Sequence, residues 1–191
     1  MEMRKAIRYG VILLLTSGFN QACEAQSKEE TLQWIKLRLP QTTATSTDED
    51  TTVSVSYSDV VVNGCLLTYT EKFNNVEADI FSGGDKYSKK YVTAVTIPLD
   101  KLSSARYRSA KDSPPDEVPV SSAVVFESVG KIITTKWTAT SREFERNEKI
   151  THGSESQSKY TIWVSDEDVV RRLVKAFARA IELCGGKKEA F

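Results

Sequence analysis

Two helical stripes of apolar residues bracket a long stretch of alternating positions. Near the start, Leu32, Ile35 and Leu39 fall at i, i+3 and i+7, with Trp34 and Leu37 widening the same side; this spacing marks one face of a helix. Ser27 followed three residues later by Glu30 forms a capping box. Pro40 ends the segment, because the residue before a proline avoids the helical region. The pattern predicts a short helix over residues 28–39. At the far end Val170, Leu173, Val174, Phe177, Ile181 and Cys184 trace a second stripe. Ser165 reads as its cap, and Asp166, Glu167 and Asp168 put negative charge where the helix dipole favours it. Gly185-Gly186 supplies the stop. The predicted helix, Asp166 to Cys184, is about 28 Å long at 1.5 Å per residue. Arg171, Arg172, Lys175 and Arg179 lie on its other side.

Between the stripes the period drops to two. Asn63-Gly64 sits between β-rich runs, Val53–Val62 and Cys65–Glu71. Both residues tolerate positive φ, so a type I′ hairpin centred on them is expected. Cys65, Leu67 and Tyr69 share one face of the second run. In the first run the apolar positions switch from odd (Val53, Val55, Tyr57) to even (Val60, Val62), and a β-bulge near Ser58-Asp59 accounts for the switch. Further strands are predicted at Tyr91–Leu99, Val120–Val129, Lys131–Thr140 and Tyr160–Val164, with a short one at Ala105–Ser109 and a tight connection at Gly130. Residues 41–52 read as a polar linker. Ser82–Asp85 and Ser113–Asp116 hold turn residues. Arg142–Lys159, charged and polar, reads as a mobile loop or an extended hairpin end. The expected fold is α+β. Six or seven antiparallel strands form a curled sheet or barrel over residues 53–191, capped by the long C-terminal helix and preceded by the short N-terminal one.

The first 25 residues read as an address. Arg4, Lys5 and Arg8 precede the apolar run Val11–Leu15, and small residues follow at Ser17, Gly18, Ala22 and Ala25. That order is that of a secretory signal peptide, and the run is too short to span a bilayer. Cleavage after Ala25 is expected. Cleavage after Ala22 would leave Cys23 first, as in a lipoprotein, but Asn20-Gln21-Ala22 lacks the aliphatic residue of a lipobox. The expected location is outside the cytoplasm, periplasmic or secreted, with no membrane span in the mature chain. Two of the three cysteines remain there, and in an oxidising compartment Cys65 and Cys184 are a disulfide candidate. Both are placed towards the core, on the first hairpin and on the last turn of the capping helix.

The order of elements resembles a pleckstrin-homology-like barrel, in which seven antiparallel strands are capped by a C-terminal helix. The resemblance covers about residues 53–184 and rests on element order. Phosphoinositide-binding members carry basic residues in a long first hairpin loop; the turn at Asn63-Gly64 carries none, so the resemblance implies the fold and not headgroup recognition. A lipocalin-like barrel and a helix-grip fold also end in a helix, but the first needs eight strands and the second places helices soon after its first strand.

Composition narrows the chemistry. The 191 residues carry 26 basic and 26 acidic side chains, so no net positive field draws in nucleic acid. The single histidine, His152, lies in a polar stretch without a fixed nucleophile or orienting carboxylate. Asp48-Glu49-Asp50 lacks the spaced oxygens of a calcium loop. Gly83-Gly84 and Gly185-Gly186 match no phosphate loop. Trp34, Trp137 and Trp163 read as core aromatics, with a ligand pocket as the alternative. No catalytic residue, cofactor or metal site is expected. Arg171, Arg172, Lys175 and Arg179 form a face suited to an anionic partner. The expectation is a non-enzymatic module binding a protein or surface partner, the alternative a carrier of a small hydrophobic ligand.

Overall fold

The computed structural model describes residues 27–48, 50–78, 85–112, 121–143 and 147–186. The signal-like segment, Glu49, Gly83-Gly84 and the Ser113–Asp116 turn lie outside the described residues.

The first helix, α1 (Lys28–Arg38), has the expected capping box: Ser27 accepts from the Glu30 N–H and Glu30 accepts from the Ser27 N–H. Leu32, Ile35 and Leu39 are buried. Nine strands follow among the described residues, in two antiparallel sheets. Sheet A contains β1 (Thr43–Asp48), β2 (Thr51–Asn63), β3 (Leu66–Ala78), β4 (Asp85–Pro98), β7 (Ile133–Glu143) and β8 (Lys149–Gln157), in that spatial order. Sheet B contains β5 (Leu102–Arg108), β6 (Ser122–Ser128) and β9 (Lys159–Val164). The chain ends in α2 (Glu167–Leu183). The α+β class, the antiparallel pairing and the two helices stand as expected. The strand count is higher than six or seven, and sheet A stays open rather than closing into a barrel.

Local physics explains the differences. Residues 43–48 form β1, not linker. Threonine is a β-branched strand former, and the strand buries only Ala44 and Ser46 on its inner side. The stretch read as a mobile loop or an extended hairpin end is the hairpin: β8 pairs antiparallel with β7 as an edge strand, almost wholly exposed; a strand with little to bury carries no apolar alternation. The β2–β3 turn is centred one residue later than expected. Asn63 pairs with Leu66, leaving Gly64-Cys65 as the loop. Gly64 has φ +59° and Asn63 a negative φ, which fits a turn needing glycine only at its first central position. The bulge lies where the parity switch put it: the register shifts between Ser58 and Val61, and Asp59 takes φ +53°.

α2 lies mainly on sheet B and α1. Val170, Leu173, Phe177, Ala180 and Ile181 are buried, and the Phe177 ring meets Phe126 edge-on at 4.8 Å. Asp166, not Ser165, caps the helix by accepting from the Val169 N–H. Ser165 instead joins the sheets: its N–H donates to the Thr43 carbonyl and its hydroxyl accepts from the Thr45 N–H. A second tie holds the corners at β6–β7 and β8–β9, where the Ser128 N–H and hydroxyl both donate to the Ser158 carbonyl.

Candidate functional site

The exposed face of α2 follows from its sequence. Burying Val170, Leu173 and Phe177 turns the long cationic side chains outward, and the structure divides them between two neighbours. Arg171 pairs with Glu167 and lies over the Tyr107 ring, 4.5 Å from its centroid, on the side of sheet B. Arg172, Lys175 and Arg179 turn the other way. With Ala176 and with Trp34 of α1 they line an open groove of about 260 Å³ between the two helices. Arg179 is held by Glu182 at 2.8 Å. Arg172 and Lys175 have no ion-pair partner among the described residues. The predicted anionic-partner face is therefore three residues beside an indole, with Arg171 drawn out of it. Two cations beside an aromatic ring can hold a carboxylate or phosphate while the ring packs on the apolar part of the same group.

A second cluster escaped the sequence reading. Tyr57, Tyr69 and Glu71 face inward from β2 and β3, and Tyr160 reaches them from β9. The Tyr160 hydroxyl donates to Glu71 Oε2 at 2.9 Å. Tyr57 donates to the Trp163 carbonyl at 3.0 Å and accepts from its N–H at 2.7 Å. The Tyr57 and Tyr69 rings meet edge-on at 5.8 Å. Loss of water pushes the Glu71 carboxyl up to about 7, against the pull of the Tyr160 hydrogen bond. Burial and then the Glu71 charge raise the Tyr57 hydroxyl well above its ordinary range. The signal was present in β3: Leu67, Tyr69, Glu71 and Phe73 share one parity, so a carboxylate stands on the apolar face.

The remaining candidates disperse. His152 lies exposed on β8, a fixed strand position, with Nδ1 3.0 Å from Thr138 Oγ1. The tryptophans do not converge: Trp34 borders the groove, Trp163 lies under the Arg108 guanidinium at 4.6 Å, and Trp137 meets Tyr91 edge-on at 6.0 Å. Among the described residues no three His, Cys, Asp or Glu side chains gather as a metal site, and no helix is long and apolar enough to cross a membrane. Cys65 and Cys184 stand at disulfide distance, their Cα atoms 5.7 Å apart. Comparison of the chain with family models, curated proteins and solved structures finds no match.

Proposed function

We propose that this chain is an exported, non-enzymatic binding module that takes an anionic group of a protein or surface partner into the groove between α1 and α2. The observation that carries the reading is the pair of cations without an ion-pair partner among the described residues, Arg172 and Lys175, beside the Trp34 indole. The interior supports a module over a carrier of hydrophobic ligands. Leu67, Ile97, Leu102, Phe126, Ile133, Ile162 and Phe177 are fully buried between the sheets and α2, so the space a lipocalin-like lumen would occupy is filled with side chains.

An oligoglutamate peptide titrated against tryptophan emission tests the groove, with Trp34→Phe identifying the responding ring. Saturable change in the native chain, lost in Arg172→Ala with Lys175→Ala, is the expected result. Undiminished binding in the double variant would overturn it. Export has its own test: N-terminal sequencing of the secreted form should begin at Gln26, a modified Cys23 would mean lipidation, and an intact Met1 would refute processing.

A further inference from the structure

The outward face of sheet A carries charge of one sign, whereas the inward register carries both, Lys89 and Lys149 as well as carboxylates. Cross-strand partners in an antiparallel sheet project to the same side, so the register assigns each residue. Ser56, Lys72, Val92, Thr138 and His152 form one outward row, and Asn74, Lys90, Thr140 and Ile150 the next. Ser88 and Arg142 follow, while Thr70, Ala94, Lys136 and Ser154 lie on the opposite flank. Lys72, Lys90, Lys136 and Arg142 are all exposed. Asp48, Glu71, Glu77, Glu143 and Glu155 of the paired register fall on the inward side; Asp59 lies apart in the bulge. A face that needed only solubility would carry both signs.

Three of these cations are in line. Lys72 of β3, Lys90 of β4 and Arg142 of β7 step one strand and two residues at a time, about 8 Å per step by strand geometry. No described residue forms an ion pair with them. Hydroxyls of Ser56, Thr70, Thr138 and Thr140 flank the line. The aromatic residues of β2, β3, β4 and β7, namely Tyr57, Tyr69, Phe73, Tyr87, Tyr91 and Trp137, take the inward register. An outward face without aromatic rings cannot stack bases, as single-stranded nucleic acid requires. It also lacks the Trp and Tyr anchors of a bilayer interface. Cations in line, hydroxyl-bearing neighbours and scattered aliphatics such as Val92 and Ile150 instead match a linear chain of hydroxylated rings bearing regular negative charge.

We propose that the outward face of sheet A binds an extended acidic polysaccharide along the diagonal Lys72, Lys90 and Arg142. The site lies on a different surface from the helix groove and does not depend on it. The probe is polygalacturonate, with neutral dextran, single-stranded DNA and phosphatidylglycerol vesicles as comparisons, each titrated calorimetrically at low and high salt. The native chain should bind polygalacturonate in preference to the other three, more weakly as salt rises. Lys72→Glu with Lys90→Glu should weaken binding about tenfold or more, and the Gln pair should show an intermediate loss. Lys175→Glu in the groove should leave it unchanged. Equal binding of dextran, tighter binding of DNA or vesicles, or a loss confined to Lys175→Glu would each overturn the proposal.

Discussion

Glu71 places a carboxylate where apolar side chains belong, and its protonation is coupled to folding. Its folded pKa, about 7, lies above the ordinary value of 4.5. The native state therefore holds the proton more tightly than the unfolded chain, and stability falls as pH rises from 4.5 to 7, then levels off. Allowing for partial solvent access, the loss is on the order of 2 kcal/mol. Glu71→Gln keeps an acceptor for the Tyr160 hydroxyl and removes the titration. Urea melts at pH 5 and pH 8 should show the native chain losing stability against this variant; parallel curves would contradict the linkage. Gly153 gives a second test. A Cβ there would come within 2.3 Å of Trp137 Cζ2, because the indole lies across β8 at the paired position. Gly153→Ala should cost about 1–3 kcal/mol through overpacking, read as a lower denaturation midpoint with a disturbed indole signal in near-ultraviolet circular dichroism.

Elements were legible in proportion to what they bury. α2 was plain because five core residues repeat at helical spacing, and the β2–β3 hairpin because its parity and its bulge follow the apolar positions. β1 and β8 were not. One buries an alanine and a serine, the other almost nothing, so backbone pairing and β propensity hold them without an apolar signature. The type I′ reading put the β2–β3 turn one residue early because it took Asn63 as a turn residue; the chain needs positive φ only at Gly64. The groove was half legible. Helical spacing placed four cations on one face of α2, but only packing against α1 and Tyr107 could divide Arg171 from the rest. Phe177→Ala should cost about 3–5 kcal/mol, and Arg172→Ala, on the open groove, less than about 0.5 kcal/mol. Equal costs in denaturant melts would place the wrong side of α2 in the core.

Across the whole molecule, the change of sheet is what sequence pattern cannot convey. Alternation reports a buried face, not which partner strand covers it. Thus β4 passes to β5 through the 3-10 turn at Leu99–Lys101, and the chain crosses back near Gly130 without any change of period. The contact between residues 65 and 184 belongs to the same scale. Mass spectrometry of the protein purified without reductant should show a mass two hydrogens below the reduced form; two alkylated thiols in the native protein would refute the bridge. With the two cysteines 119 positions apart in the chain, the chain-entropy model gives about 4–5 kcal/mol for its closure.

That closure also decides how the molecule bears load. Tension applied to the two ends would run from α1 through β1 and β2 to Cys65, cross the sulfur bridge and leave beyond Cys184. The segment from β3 to α2, including the charged face of sheet A, would hang as an unloaded ring. A chain stretched in the oxidised state should release about 400 Å less contour length than the reduced one, for 119 residues at roughly 3.3–3.6 Å each. The oxidised protein would therefore bear a pull on either end while most of its sheet stays out of the line of force.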